Sequence, residues 1–306
     1  MARRKICLIG EGMVELRQEA DGTCRIGYGG DTLNTAIHMA RHGCDVVYAT
    51  ALGEDPFSNQ LLLAWSAEGL DCSTILTDPV RGAGLYAITL DAAGERSFTY
   101  WRSDSAARQL FALPGSKALT QTVRDAGTLA FSLISLAILP EEGREALVSL
   151  ARSIREDGGL VAFDGNYRPR LWEDAATAAH WRDRAIAASS IGLPTLDDEV
   201  AMTGEATPDD VARHWEKLGC AETVVKLGAR GCRLPGGDMV PPSARLDPVD
   251  TSGAGDAFNG GYLAARLEGD SPAEAARRGN DVAGWVIMRA GAIPARDAAA
   301  PYGEMP

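Results

Sequence analysis

No apolar run in this sequence is long enough to cross a membrane or to serve as an export signal. The basic residues Arg3, Arg4 and Lys5 precede an apolar stretch at 6–9, and Glu11 breaks it far short of either. Positive charge is scarce as well. Lys and Arg number 30 against 42 Asp and Glu, a formal net charge of −12, so no extensive counterion-releasing basic surface is expected. That argues against nucleic acid and anionic membrane as partners and leaves an anionic small molecule open, because its binding depends on local charge. Cysteine is sparse and scattered. Cys7, Cys24, Cys44, Cys72, Cys220 and Cys232 lack paired metal-ligand spacing, which predicts reduced thiols in a cytoplasmic protein, without disulfide or zinc. The histidines His38, His42, His180 and His214 have no triad partner or ligand spacing, and His38 and His42, one helical turn apart, read as helix-surface residues. No GxxxxGK[ST] run occurs, so any phosphate must be held by something other than a P-loop. Repeats, low-complexity tracts and linkers are missing too, and 306 residues with 45% apolar content read as one domain spanning 1–306.

What is present is an alternation of β-rich and helical stretches. KICLIG (5–10) leads to the helix-like DTLNTAIHMARHG (31–43), then DVVYATALG (45–53) and a helical pattern over 56–69. TLAFSLIS (128–135), a helix after Pro140, LVAFD (160–164), a helix over 174–189 and the strand-like ETVVKLG (222–228) continue the βαβ rhythm. Two helices, over 255–267 and 272–289, close the chain. Segments 10–28 and 84–102 break the pattern. They read as antiparallel strands, the second a hairpin of LYAITL and RSFTYW about a turn at 91–94. Strands inserted in this way can form a small lid over the active edge of an α/β sheet and exclude water from it.

DTSGAGDAF at 250–258 carries the most chemistry. Gly253, Ala254 and Gly255 open a helix with almost no side chain, so an anion can approach backbone N–H groups that lack intrahelical partners, aided by the helix dipole. Asp256 beside such a cradle would repel a polyphosphate, unless it faces a hydroxyl that must lose its proton while attacking the phosphoryl group. A first-turn Asp commonly does no more than complement the dipole, but the three small residues before this one favour the base. Cradle plus base predicts phosphoryl transfer to an alcohol.

Together with GYGGDTLNTA at 27–36, this stretch resembles the two signature regions of the ribokinase-like sugar kinases. TALGEDPFS (50–58), GERSFTYWR (94–102), SLAIL (135–139), FDGNYRPRLW (163–172) and TLDDE (195–199) extend the likeness over most of the chain. They resemble the sugar-acid kinases of that family, which use ATP to phosphorylate 2-keto-3-deoxygluconate at its C6 hydroxyl. The resemblance implies a three-layer α/β/α sandwich with a small β-sheet lid. It places Asp256 on the catalytic base and Gly253, Ala254 and Gly255 on the anion hole. Gly30, Asp31 and Asn34 fall on the sugar-binding turn, and Tyr86, Tyr100, Arg102 and Arg168 on positions that contact the keto acid. Asn166, Lys226, Gly228, Gly231 and Asn280 fall at the ATP site with Gly253 and Gly255, and Glu199 on the residue associated with Mg2+. A homo-oligomer formed through the lid is also implied. Leu133 and Leu196 depart from the pattern, standing where relatives often have Gly and where many members have the Asn of an Asn-x-x-Glu motif. Two rival readings stay open: a neutral-sugar kinase for fructose or ribose, which has no use for arginines at a carboxylate, and a non-catalytic sensor, which would be expected to lose the base or the anion-hole glycines.

Overall fold

The computed structural model describes residues 5–19, 21–90, 96–204 and 207–303. A six-stranded sheet forms its centre, in the order Glu222–Thr223, Ile191–Gly192, Leu160–Asp164, Thr128–Ser132, Lys5–Ile9 and Asp45–Ala49, with every neighbouring pair parallel. Because side chains alternate along a strand, each strand feeds both faces of the sheet. Cys7, Ile9, Leu129, Phe131, Val161 and Phe163 enter one core, covered by the helices Ser116–Ala126, Glu141–Glu156, Ala175–Ala187 and Pro208–Lys217. Ile6, Leu8, Ala130 and Ala162 enter the other, beneath Asp31–Arg41, Pro56–Ala67, Ala254–Glu268 and Pro272–Ile287. This is the expected three-layer α/β/α sandwich.

The lid is a separate four-stranded sheet. Its order is Cys24–Gly29, Met13–Gln18, Gly84–Leu90 and Arg96–Trp101; the two outer pairs are antiparallel and the central pair is parallel. Both inserted segments therefore form the lid, although the expected turn at 91–94 lies outside the described residues. The stretch ETVVKLG is not one strand. Glu222–Thr223 closes the large sheet, whereas Val225–Lys226 pairs with Cys232–Arg233 in a small antiparallel sheet completed by Met239–Val240. The change of sheet falls within buried chain, Val224 and Val225 packing in the two cores while the buried Lys226 reaches Asp164 at its strand end. DVVYATALG likewise divides, its Ala51–Gly53 portion pairing with Leu76–Asp78 instead of extending the main strand.

His38 corrects the expectation of a helix-surface residue: it is completely buried, with both ring nitrogens hydrogen-bonded. The helix Asp31–Arg41 is covered by the sheet on one side and by Ala254–Glu268 on another, so a face that reads as polar still points inward.

Candidate active site

The carboxyl ends of the parallel strands and two helix N-termini meet at one edge of the sheet, the place where open α/β folds bind ligands. The helix Ala254–Glu268 starts from Gly253 with φ of 70°, a left-handed conformation suited to glycine. A Cβ there would also lie 2.4 Å from Ala292 Cβ. Asp256 follows in the first turn, 9% exposed, and its Oδ2 accepts from Asn34 Nδ2 at 2.7 Å. Asn34 comes from the first turn of Asp31–Arg41, which begins at Gly30; a Cβ on Gly30 would lie 2.1 Å from the Glu11 carbonyl oxygen. Two helix starts more than two hundred residues apart in sequence thus converge on one carboxylate.

Asp164, at the end of its strand, accepts from Lys226 Nζ at 3.0 Å and from Asn259 Nδ2 at 2.8 Å, while Lys226 also donates to Asn259 Oδ1 at 3.1 Å. Lys226 Nζ stands 3.6 Å from where a Cβ of Gly255 would be, so an ammonium adjoins the opening of the helix. Asp31 accepts from Asn166 Nδ2 at 3.2 Å. Burial, followed by the like charge of Asp31, pushes the Asp256 carboxyl up to about 8, against the lowering pull of its Asn34 hydrogen bond. Asp31 is also raised, chiefly by burial, with the Asp164 charge adding to the shift. Among the buried side-chain polar atoms without a hydrogen-bond partner in the described residues, Asn34 Oδ1 and Arg102 Nε belong to residues expected at the sugar site. In a closed site such atoms are where a ligand's hydroxyl or acidic group would be received.

The expected sugar-acid contacts divide. The Arg102 side chain is 10% exposed and ion-pairs with Glu11, whose other oxygen accepts from Ser105. Tyr86 is buried beside Met13 and Ile88, donates to Glu15 and stacks on the half-exposed Tyr100 with ring centroids 5.8 Å apart. Gly29 makes room for it, since a Cβ there would lie 2.3 Å from the Tyr86 hydroxyl. Arg168 is placed differently. Its side chain is 51% exposed, donating to the Tyr167 carbonyl at 2.7 Å and to Asp198 at 3.3 Å.

On the expected nucleotide side, Gly228 and Gly231 have φ of 58° and 83° and turn the chain between Lys226 and Cys232. A Cβ on Gly231 would lie 2.1 Å from the Val240 carbonyl oxygen. Asn280 Nδ2 donates to the carbonyls of Val240 and Pro241 at 3.2 and 3.3 Å. It thereby shapes a cleft of about 350 Å³ that Val240, Pro241, Ser243, Arg277 and Asn280 help to line. Glu199 does not fit a metal-binding role. It is 3% exposed, and its two oxygens accept from Arg182 Nη1 at 2.8 Å and Trp215 Nε1 at 3.1 Å, so it neutralises a buried guanidinium. Sequence reasoning singled out neither Glu11, Glu15, Asp164 nor Asn259. The strand-end position of Asp164 in LVAFD was the available signal for it.

The pfkB family of carbohydrate kinases matches residues 3–299. The chain belongs to that family. The kinase is 42% identical over 305 residues to the 2-dehydro-3-deoxygluconokinase of Escherichia coli K12, covering 96% of this chain and 98% of that protein. It is 37% identical over 299 residues to the 2-dehydro-3-deoxygluconokinase of Haemophilus influenzae, covering 95% of each. Among solved structures, the kinase superposes on aminoimidazole riboside kinase from Salmonella enterica, complexed with aminoimidazole riboside and an ATP analog. The TM-score is 0.79 at 27% identity, over 94% of this chain and 95% of that one.

Proposed function

We propose that the chain is a 2-dehydro-3-deoxygluconokinase, transferring the γ-phosphoryl group of ATP to 2-keto-3-deoxygluconate at its C6 hydroxyl. The observation that carries this reading is the buried Asp256 beside the Gly-Ala-Gly turn at 253–255, in a chain so similar over its whole length to sugar-acid kinases. The backbone N–H groups of 253–255 receive the phosphoryl oxygens, with Lys226 adding positive charge next to Gly255. The C6 oxygen forms a bond to the γ-phosphorus, the bond from that phosphorus to the bridging oxygen breaks, ADP leaves with the electron pair, and the hydroxyl proton passes to Asp256. A carboxyl raised to about 8 has, once ionised, a stronger hold on the hydroxyl proton than an ordinary carboxylate. Asn34 fixes the orientation of the base by donating from Nδ2 to Asp256 Oδ2 and offers its own unpartnered Oδ1 to a sugar hydroxyl. Asp31 and Gly30 shape the same turn. Arg102, held by Glu11, directs its free Nε at the acid, with Tyr86 and Tyr100 in the lid covering it. Arg168 reaches the carboxylate by leaving its exposed contact with Asp198.

Magnesium enters this reading with ATP. The Asp31 charge raises the proton affinity of Asp256, and the Asp164 charge adds to that of both, so the phosphates would meet an excess of negative charge that a divalent cation relieves. When bound with ATP it would neutralise phosphate charge; both Asp164 oxygens are committed to Lys226 and Asn259, and the described residues form no cluster of three His, Cys, Asp or Glu side chains to cage it. Asn166, Gly228, Gly231 and Asn280 belong to the nucleotide side of this reading. It also includes pairing of two copies through the lid, where Ile26, Tyr100 and Trp101 are exposed, and a cytoplasmic location; no described helix is long and apolar enough to cross a membrane. One observation favours a neutral sugar instead: Glu11 already balances the charge of Arg102. Coupled ADP release with 2-keto-3-deoxygluconate, fructose and ribose separates the two. Preference for the acid by orders of magnitude supports the proposal, and equal or better use of a neutral sugar replaces it.

A further inference from the structure

We infer that His38, backed by Tyr302, is a positioning residue for the anion hole. The inference rests on the kinase reading above and on contacts that the reading does not use. His38 Nε2 lies 3.0 Å from the Ala292 carbonyl oxygen and Nδ1 lies 2.6 Å from the Tyr302 hydroxyl. A carbonyl only accepts, so Nε2 carries the hydrogen; Nδ1 is then bare and accepts from Tyr302. Burial drives the imidazole down to about 3, which keeps it neutral and this tautomer fixed at any working pH.

Ala292 is the neighbour against which the anion-hole turn rests. A Cβ on Gly253 would lie 2.4 Å from its Cβ and 2.9 Å from its Cα, so nothing but backbone separates the strap at 291–294 from the N-cap. The strap is held at several points. Gly291 N donates to Asp250 at 2.7 Å, and Arg41 Nη1 donates to the Pro294 carbonyl at 2.8 Å while its Nε and Nη2 bond to Glu68. Gly260 lets the two helices meet closely at this residue, since a Cβ there would lie 2.5 Å from His38 Cβ and 3.1 Å from the Thr35 carbonyl oxygen. Asn34 and His38 are four residues apart on one helix, hence on one face. The same helix therefore orients the base through Asn34 and, one turn on, seats the strap behind the anion hole through His38.

Small displacements of donors aimed at developing charge act on the transition state more than on the bound substrate. His38→Leu removes both ring hydrogen bonds at similar volume, His38→Gln can restore a donor and an acceptor, and Tyr302→Phe removes one hydroxyl. The experiment measures kcat and sugar KM for each variant, with rates expressed per molecule that binds ADP in titration calorimetry. The expected result for His38→Leu is a fall in kcat of about ten- to a hundredfold with sugar KM within about twofold of wild type. His38→Gln recovers most of the loss, and Tyr302→Phe combined with His38→Leu is no worse than His38→Leu alone. Wild-type kcat in His38→Leu, or a deficit that vanishes once rates are counted per ADP-binding molecule, overturns the inference. Should His38→Leu fail to fold, Tyr302→Phe decides: kcat lowered severalfold at unchanged sugar KM supports the role, and unchanged kcat overturns it. If the wild type uses a neutral sugar in place of the acid, the functional reading fails, and the same comparison is made on that sugar.

Discussion

Asn34 Nδ2 donates to Asp256 Oδ2 at 2.7 Å, so the amide lowers the proton affinity of a carboxylate that burial and Asp31 raise. If Asp256 is the base, Asp256→Asn reduces turnover by at least about a hundredfold while ADP affinity, measured by calorimetry, holds or improves. In wild type, kcat/KM rises with pH and levels above about 8, because only the ionised carboxylate accepts the proton.

The same raised proton affinity has a cost in stability with a definite sign. An ordinary carboxyl ionises near pH 4 in the unfolded chain and Asp256 near 8 in the folded one, so between those values the folded state binds the extra proton and stability falls as pH rises. Asp256→Asn, which cannot ionise, should therefore melt at higher temperature than wild type, by a margin that widens from pH 4 to pH 8 and is constant above. Thermal melts across that range check the trend, and a margin that does not change with pH contradicts it.

Gly255 and Gly253 should fail for different reasons. At Gly255 a Cβ meets Lys226 Nζ at 3.6 Å, an ordinary contact, so Gly255→Val folds while its branches occupy the space meant for phosphate. At Gly253, Ala292 and the positive φ both oppose a side chain, so Gly253→Ala lowers the melting temperature. Normal turnover in Gly255→Val would place the anion elsewhere.

Removing the charge partner of Arg182 tests Glu199. Glu199→Gln should destabilise the fold by about 3 kcal/mol, the lower end for a broken buried pair, because Asp183 still holds Arg182. The Mg2+ concentration for half-maximal rate should stay at the wild-type value. A shifted Mg2+ dependence in a protein of wild-type stability would restore the metal role.

For the acid, Arg102→Ala and Arg168→Lys should both raise sugar-acid KM far more than they raise ATP KM. A lost guanidinium partner in a desolvated pair is worth about 2–5 kcal/mol. Arg102 carries the larger effect, since its side chain is far less exposed than the half-exposed Arg168. Unchanged acid kinetics in both variants would remove these arginines from the site.

Much of this was legible because strand alternation and the glycine-rich helix starts are local signals. The runs from 5–9 and 160–164 fall on central strands, and GAGD opens a helix as its small residues suggest. What escaped was set by distant partners. His38 looks solvent-facing until Ala254–Glu268 and the strap at 291–294 cover it, and Glu199 looks like one of several acids at a helix start until Arg182 and Trp215 close on it. ETVVKLG reads as one strand because its residues all favour extension, yet its two halves pair in different sheets, a choice made by the neighbouring strands. Arg102 and Arg168 were indistinguishable by type; Glu11, far upstream, separates them.

The most direct measurement is phosphorus-31 NMR of the product formed from ATP and 2-keto-3-deoxygluconate, with proton correlation to locate the new ester. The account predicts a single phosphomonoester coupled to the C6 protons, formed by the wild type and absent with Asp256→Asn over the same time. An ester at another carbon, or the same ester made at wild-type rate by Asp256→Asn, would contradict it.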